Sequence, residues 1–174
     1  MLRRNILLMS GIAAATSVST LLAGCGSDTE TTKDIFEVAR DNSDLSVLSD
    51  AIISAGLVQT FQDNTSYTLF APNNAAFVAA LAELNLTKDE LFANKSLLTT
   101  VLTYHLLPGK ISSGNILLNT PLKTVQGGTV SVENVAGALT ITDGRNRKSR
   151  IIQIDLEGRN GVVHIVDKVL LPSV

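Results

Sequence analysis

Histidine and cysteine are the side chains best suited to metal binding or nucleophilic catalysis, and this chain has two histidines and one cysteine. His105 and His164 lie far apart in the sequence, with no second cysteine, no HxxxH pair and no acidic calcium loop. A zinc site needs three or four such ligands close together. We therefore expect no metal, no cofactor and no catalytic residue, and we predict that both histidines are core or rim residues that bond to the backbone.

The cysteine, Cys25, has a different setting. It closes the run Leu22-Ala23-Gly24-Cys25, which follows an apolar segment (residues 6–22) and, before that, Arg3 and Arg4. This order is typical of an export signal, and the run resembles the bacterial lipobox. The resemblance implies that the thiol is alkylated by a diacylglyceride and that the chain is cut before Cys25. An uncleaved transmembrane anchor is the alternative, although the segment is barely long enough and rich in Ser and Thr.

This interpretation divides the chain into three parts: a lipoprotein signal peptide (1–24), a flexible tether that starts with the lipidated Cys25 (25–33), and a globular domain (34–174). The tether contains no apolar residue after the cysteine. Several acyl chains hold a protein far more firmly than one, so we expect a membrane-anchored protein of the cell envelope. Gly26 follows the cysteine. A glycine at that position fits an outer-membrane or cell-surface location better than the inner membrane.

Composition limits the function further. Without the signal peptide, 12 basic residues face 16 acidic ones, so no basic excess suggests nucleic acid as a partner. A lipidated Cys25 leaves no thiol for a disulfide, and the core must be held by packing alone. About 150 residues are enough for one such domain.

Apolar periodicity predicts the elements that position these residues. Up to residue 107 the period is helical, apart from a short strand candidate at 67–71, and a helix is predicted over 95–107. After Pro108 the period becomes two, which predicts a hairpin around Gly127 and strands over 138–142, 151–155 and 161–170. Helices followed by strands indicate an α+β fold and not alternating βαβ units.

Capping residues predict several helix ends. Gly56 is predicted to close one helix, and Asn73 or Asn74 to cap the next. Thr87 with Glu90 fits a capping box that opens a short helix.

Three segments in this order resemble the fasciclin domain family over nearly all of residues 33–173. They are Tyr67-Thr68-Leu69-Phe70-Ala71-Pro72-Asn73-Asn74-Ala75-Ala76-Phe77, Tyr104-His105 within 101–110, and the segment 160–172, which begins Asn160-Gly161. The resemblance implies a fasciclin-type wedge, a mixed β-sandwich with a layer of short helices.

The resemblance also implies candidate partner-binding residues. In animal members of the family, the dipeptide that matches Tyr104 and His105 is implicated in adhesion. An Asp-Ile pair of the family falls on Asp155 and Leu156, with the Ile replaced. The alternative is structural: Tyr104 and His105 pack in the core, and Asp155 caps a turn.

A basic loop is the remaining candidate site. Arg145, Arg147, Lys148 and Arg150 lie within six residues of an otherwise acidic domain. Such a loop is either simply solvated or binds an anion such as an acidic polysaccharide or a lipid headgroup.

No nucleophile elbow, phosphate loop or dinucleotide fingerprint is present in the sequence, so an enzyme is not expected. We predict a non-catalytic adhesion or interaction module that is anchored to the membrane through Cys25. Its partner would be an envelope or extracellular protein or a polysaccharide. The alternative is a carrier that holds a small apolar ligand, a lipid or a pigment, in a groove of the domain.

Overall fold

The computed structural model describes residues 33–173. The predicted signal peptide, Cys25 and the predicted tether up to residue 32 lie outside the described residues. Within the described range the helices are α1 (Ile35–Arg40), α2 (Ser46–Ala55), α3 (Val58–Gln62), α4 (Asn74–Leu84), α5 (Lys88–Ala93) and α6 (Lys95–Tyr104). The strands are β1 (Tyr67–Pro72), β2 (Leu106–Pro108), β3 (Pro121–Lys123), β4 (Thr129–Val135), β5 (Ala138–Thr142), β6 (Lys148–Gly158) and β7 (Gly161–Val166).

Specific capping residues define several helix ends. A capping box of Thr87 and Glu90 opens α5, as predicted, because each residue satisfies a free backbone N–H of the other. Gly56 ends α2 in the left-handed conformation, with φ of 72°. The sequence left Asn73 and Asn74 as alternative caps of α4. The cap is Asn73, whose side chain accepts from the Ala76 N–H at 2.8 Å.

Some predicted boundaries were wrong. The helix predicted over 95–107 ends at Tyr104, because Leu106 and Leu107 pair with β1 and are buried there as strand β2. Local periodicity could not show that pairing, which joins residues far apart in sequence. Strand β6 is longer than the predicted 151–155, and β7 ends at Val166 instead of residue 170.

The strands follow the order β2-β1-β7-β6-β5-β4-β3. Only β1 and β7 are parallel, and every other neighbouring pair is antiparallel. Strand β6 pairs with β5 through Lys148–Arg150 and with β7 through Ile151–Gly158. Because one long strand serves both neighbours along different parts of its length, the sheet forms two layers.

Two hydrophobic clusters match this layering. Side chains alternate along β1, so Leu69 and Ala71 join the cluster beneath the helices, whereas Phe70 joins the second cluster. The second cluster also holds Val132 and Ile141 from β4 and β5, so it lies between the two layers of strands. A layer of short helices on a mixed sandwich confirms the predicted α+β fold class.

The start of the domain is bound to the turn between β6 and β7. The Arg159 N–H donates to the Lys33 carbonyl at 2.7 Å. The side chain of Asn160 accepts from the Ile35 N–H at 2.9 Å and donates to the carbonyls of Phe61 and Asp63. One buried amide therefore joins the first helix, the end of α3 and the sheet.

Candidate functional site

Tyr104 lies at the end of α6 and is fully buried. Its hydroxyl donates to the Thr129 carbonyl and accepts from the Gly144 N–H, both at 2.7 Å. Burial raises the pKa of this hydroxyl, so it stays protonated and neutral. The ring also leaves no space for a side chain at Gly128, because an added Cβ would lie 2.8 Å from a ring carbon of Tyr104. Tyr104 thus ties the helical layer to β4 and to the turn that follows β5.

His105 is equally buried, and both of its ring nitrogens are bonded to backbone. Nε2 accepts from the Leu170 N–H at 2.9 Å. Nδ1 must then carry the proton, which it donates to the Val101 carbonyl at 2.7 Å. Burial lowers the pKa of His105 to about 4, although the bond to Val101 opposes that shift. The ring is therefore neutral at physiological pH.

His164 repeats this arrangement in the middle of β7. Its Nδ1 accepts from the Asp155 N–H at 3.2 Å, and its Nε2 donates to the Ile111 carbonyl at 3.0 Å. Burial lowers the pKa of His164 as well. Both histidines bond to backbone, as predicted. Each of the four ring nitrogens has a backbone partner, so none of them is left to act as a base or a metal ligand.

Asp155 stands in β6 with a positive φ of 55°, next to a register shift of the strand. Its carboxylate accepts from the Ser113 N–H at 2.7 Å and from the Ser113 hydroxyl. Burial alone would raise the pKa of Asp155, but the two bonds from Ser113 and the nearby His164 together outweigh burial and lower the pKa. Asp155 therefore fastens the loop after β2 onto β6.

The four residues predicted to contact a partner (Tyr104, His105, Asp155 and Leu156) do not form one exposed surface. Tyr104 and His105 are buried between α6 and the strands, whereas Leu156 is half-buried against the cluster beneath the helices. Asp155 is engaged with Ser113. These positions favour the structural alternative for the Tyr-His pair, because a side chain without accessible surface makes no direct contact with a partner.

The basic loop splits into residues with different roles. Arg147 is mostly covered, with 24% of its side chain exposed, and pairs with Asp143 and Glu83. It also donates to the Val169 carbonyl at 2.6 Å. Asp143 is buried and accepts in addition from the backbone N–H groups of Arg145, Arg147 and Leu171. This pair holds the turn after β5 against the end of the chain.

The other three cations are exposed. Lys148 pairs with Glu133 at 3.0 Å, and Arg145 donates to the Pro172 carbonyl at 3.2 Å. The backbone N–H of Arg150 donates to the Asp167 carboxylate at 2.7 Å, but its guanidinium pairs with no carboxylate among residues 33–173. Of the four predicted anion-binding residues, Arg147 has its charge balanced inside the fold, so an anion would meet Arg145, Lys148 and Arg150.

Sequence reasoning missed Asp143 and the side-chain role of Asn160. Asp143-Gly144 and Asn160-Gly161 are both turn dipeptides, and such a dipeptide predicts a turn without any role for the Asp or Asn side chain in the core. The buried amide and carboxylate depend on backbone groups distant in sequence, so no local signal could have found them.

Two further observations concern metal ligands and membrane-spanning helices. Among residues 33–173, no three His, Cys, Asp or Glu side chains are grouped so that they could hold a metal ion. Over the same range, every helix is too short or too polar to cross a bilayer.

Comparison with known proteins agrees with this fold. The model of the fasciclin domain family matches residues 43–172. Protein sll1483 of Synechocystis is 36% identical over 83% of this chain and 76% of its own length. Transforming growth factor-beta-induced protein ig-h3 of Sus scrofa is 34% identical over 79% of this chain, which corresponds to 19% of that longer protein.

A solved structure shows the same fold. It is a FAS1 domain pair from the insect cell adhesion molecule fasciclin I, with a TM-score of 0.65 and 17% identity. The match covers 80% of this chain and 51% of the pair. The chain belongs to the fasciclin domain family, which confirms the resemblance noted in its sequence.

Proposed function

We propose that this protein is a lipid-anchored, non-catalytic interaction module of the bacterial cell envelope, which binds a protein or polysaccharide partner through its exterior. The observation that supports it best is the state of its chemistry-bearing groups. His105 and His164 bond to backbone through both ring nitrogens, and the Tyr104 hydroxyl has two backbone partners. These groups stabilise the fold, which leaves the surface for function.

The relationship to an insect cell adhesion molecule adds support for an interaction role. Since Tyr104 and His105 are buried, the proposed partner contacts lie on exposed side chains. The exposed members of the basic loop, Arg145, Lys148 and Arg150, are the candidates for an acidic polysaccharide or another anion.

The anchor can be tested in the host. Cells that produce the full chain or its Cys25→Ser variant are fed labelled palmitate and fractionated. The proposal expects label and membrane association for the parent chain, and neither lipid label nor cleavage before residue 25 for the variant. Palmitate on the Cys25→Ser protein would contradict the anchor.

The interaction role needs a separate measurement. Binding of the full chain to acidic polysaccharide is compared with that of the Arg145→Ser, Lys148→Ser, Arg150→Ser variant at low and high salt. Weaker binding at high salt and in the variant supports the proposed anion contact, because exposed charges are screened by salt. Native mass spectrometry of the host-purified protein distinguishes an interaction module from a carrier, since a stoichiometric bound lipid or pigment would favour the carrier.

A further inference from the structure

Strand β6 exposes two large apolar side chains beside an unpaired cation. Ile152 and Ile154 keep 54% and 47% of their surface accessible. Arg150 precedes them on the same strand and is exposed. We call Arg150, Ile152 and Ile154 the β6 stripe. Single exposed apolar residues are ordinary, but neighbouring ones on a rigid element often mark an interaction surface.

The sheet itself opens at this stripe. Pairing of β6 with β5 ends at Arg150, opposite Thr140. Beyond that point β6 follows β7 through two register shifts, at Ile151/Gln153 and at Gln153/Leu156. Such bulges bend a strand and redirect its side chains.

The opening produces a groove between β5 and β6. Gly137, Ala138 and Leu139, at and before the start of β5, line it together with residues 151–154 of β6, of which Gln153 is the polar member. The apolar side chains of the stripe therefore belong to a continuous surface and are not isolated.

The chain ahead of the domain arrives next to this surface. Lys33 and Leu156 line one groove together with Val38 of α1 and with Asp41, Asn42 and Ser43, which follow that helix. Leu156 is two residues from Ile154 and four from Ile152, so they lie at most about 7 and about 13 Å away along the strand, because the bulges and the positive φ of Asp155 shorten an extended chain.

The proposed anchor lies only eight residues before Lys33. A flexible segment of that length spans roughly 15 Å on average, and about 28 Å when fully extended. An acylated Cys25 would therefore hold the start of α1, and the strand beside it, close to the lipid headgroups.

We propose that the β6 stripe lies against the anionic lipid surface of the membrane that carries the anchor. Ile152 and Ile154 enter the interface between headgroups and acyl chains, and Arg150 contacts phosphate oxygens. This inference rests on the lipid anchor of the proposed function. Two isoleucines and one arginine bind weakly alone, but the tether supplies a high effective concentration of lipid surface. The anchor would then fix the orientation of the domain as well as its location.

The test uses the full chain, acylated in its host and reconstituted into vesicles that contain phosphatidylglycerol. Since the thiol of Cys25 is blocked by the lipid, an Ile154→Cys substitution introduces a single reactive site for an environment-sensitive fluorophore. The matched control is Val78→Cys on α4, where the parent side chain is 68% exposed. The proposal expects a blue shift and quenching by brominated lipid at position 154 and neither at position 78.

Two further arms identify the contact. Replacing phosphatidylglycerol by phosphatidylcholine, or adding Arg150→Ser, should lower the equilibrium constant for contact about fivefold, the factor that one cation is worth near an anionic surface. Equal, unshifted spectra at positions 154 and 78 would overturn the proposal. So would shielding of position 154 that depends on protein density and not on lipid, since a second copy would then cover the stripe.

Vesicle flotation separates this inference from the anchor. Protein that floats with the vesicles but shows no quenching at position 154 retains its anchor and lacks the proposed contact. Protein that does not float when acylation is present would contradict the anchor itself.

Discussion

Strand β6 begins in one environment and continues into another. At its start lies the turn network, which we define as Tyr104, His105, Asp143, Gly144 and Arg147. Its polar groups are mostly buried and bonded to one another or to backbone. A few residues later, the β6 stripe is exposed, with an unpaired Arg150.

Arginines three residues apart therefore have opposite roles. Arg147 balances a buried carboxylate, whereas Arg150 faces solvent. The charge of a side chain in a sequence does not show whether that charge is available to a ligand. Whether a charge is available to a ligand depends on which carboxylates the fold places near it. Substitutions in the buried turn network should therefore have larger effects on stability than substitutions in the exposed β6 stripe.

The largest effect is expected for Asp143→Ala in the turn network. The substitution leaves Arg147 without its buried partner and several backbone N–H groups without an acceptor. Breaking such a pair on one side costs about 3–5 kcal/mol. Urea unfolding should show that loss in the free energy of unfolding, and a loss below about 1 kcal/mol would contradict the assigned role.

The second prediction concerns pH. His105 has a folded pKa of about 4, whereas the unfolded chain has the ordinary value of 6.5. Between these values the unfolded state binds a proton that the folded state excludes, so stability is present above pH 6.5 and falls towards pH 4. The difference corresponds to about 3 kcal/mol.

Unfolding of the parent and of His105→Gln at pH 7 and pH 4.5 measures this contribution. The variant should lose less stability on acidification than the parent does. His164 contributes in the same direction because burial lowers its pKa too, so some dependence on pH should remain. An identical loss in both proteins would contradict the assignment to His105.

A smaller effect is expected for Tyr104→Phe, which keeps the ring and removes the hydroxyl. The Gly144 N–H and the Thr129 carbonyl then lose a partner, which costs about 1–3 kcal/mol for buried groups. Thermal unfolding should show a lower midpoint with native secondary structure at room temperature. An unchanged midpoint would mean that water replaces the hydroxyl.

The smallest effect on stability is expected in the β6 stripe. Arg150→Ser, Ile152→Ser and Ile154→Ser should each change the free energy of unfolding by about 0.5 kcal/mol or less, as is usual for exposed positions. Urea unfolding of each variant in the absence of lipid measures this. A large loss would show that the stripe is part of the core, and it would remove the contrast with Asp143.

The sequence allowed prediction of the features that depend on local patterns. The capping box at Thr87 and Glu90, the cap of α2 at Gly56 and the strand at Ala138–Thr142 are all present. The α+β class followed from the change of period after Pro108. These features depend on residues close together in the chain, so their signals are complete in the sequence.

Features that depend on distant partners were not predicted. Leu106 and Leu107 fitted a helical pattern but form a strand, because β1 provides the edge with which they pair. Arg147 was grouped with three exposed cations, since nothing near it in sequence indicates the approach of Glu83. The exposure of Ile152 and Ile154 also depends on two register shifts of β6, which an apolar run does not reveal.

The attachment of Lys33 and Ile35 to the β6–β7 turn has a mechanical consequence. Strand β7 is central, with β1 on one side and β6 on the other. A pull on the chain ahead of Lys33 is therefore transmitted through the Arg159 and Asn160 hydrogen bonds to the middle of the sheet, not to an edge strand.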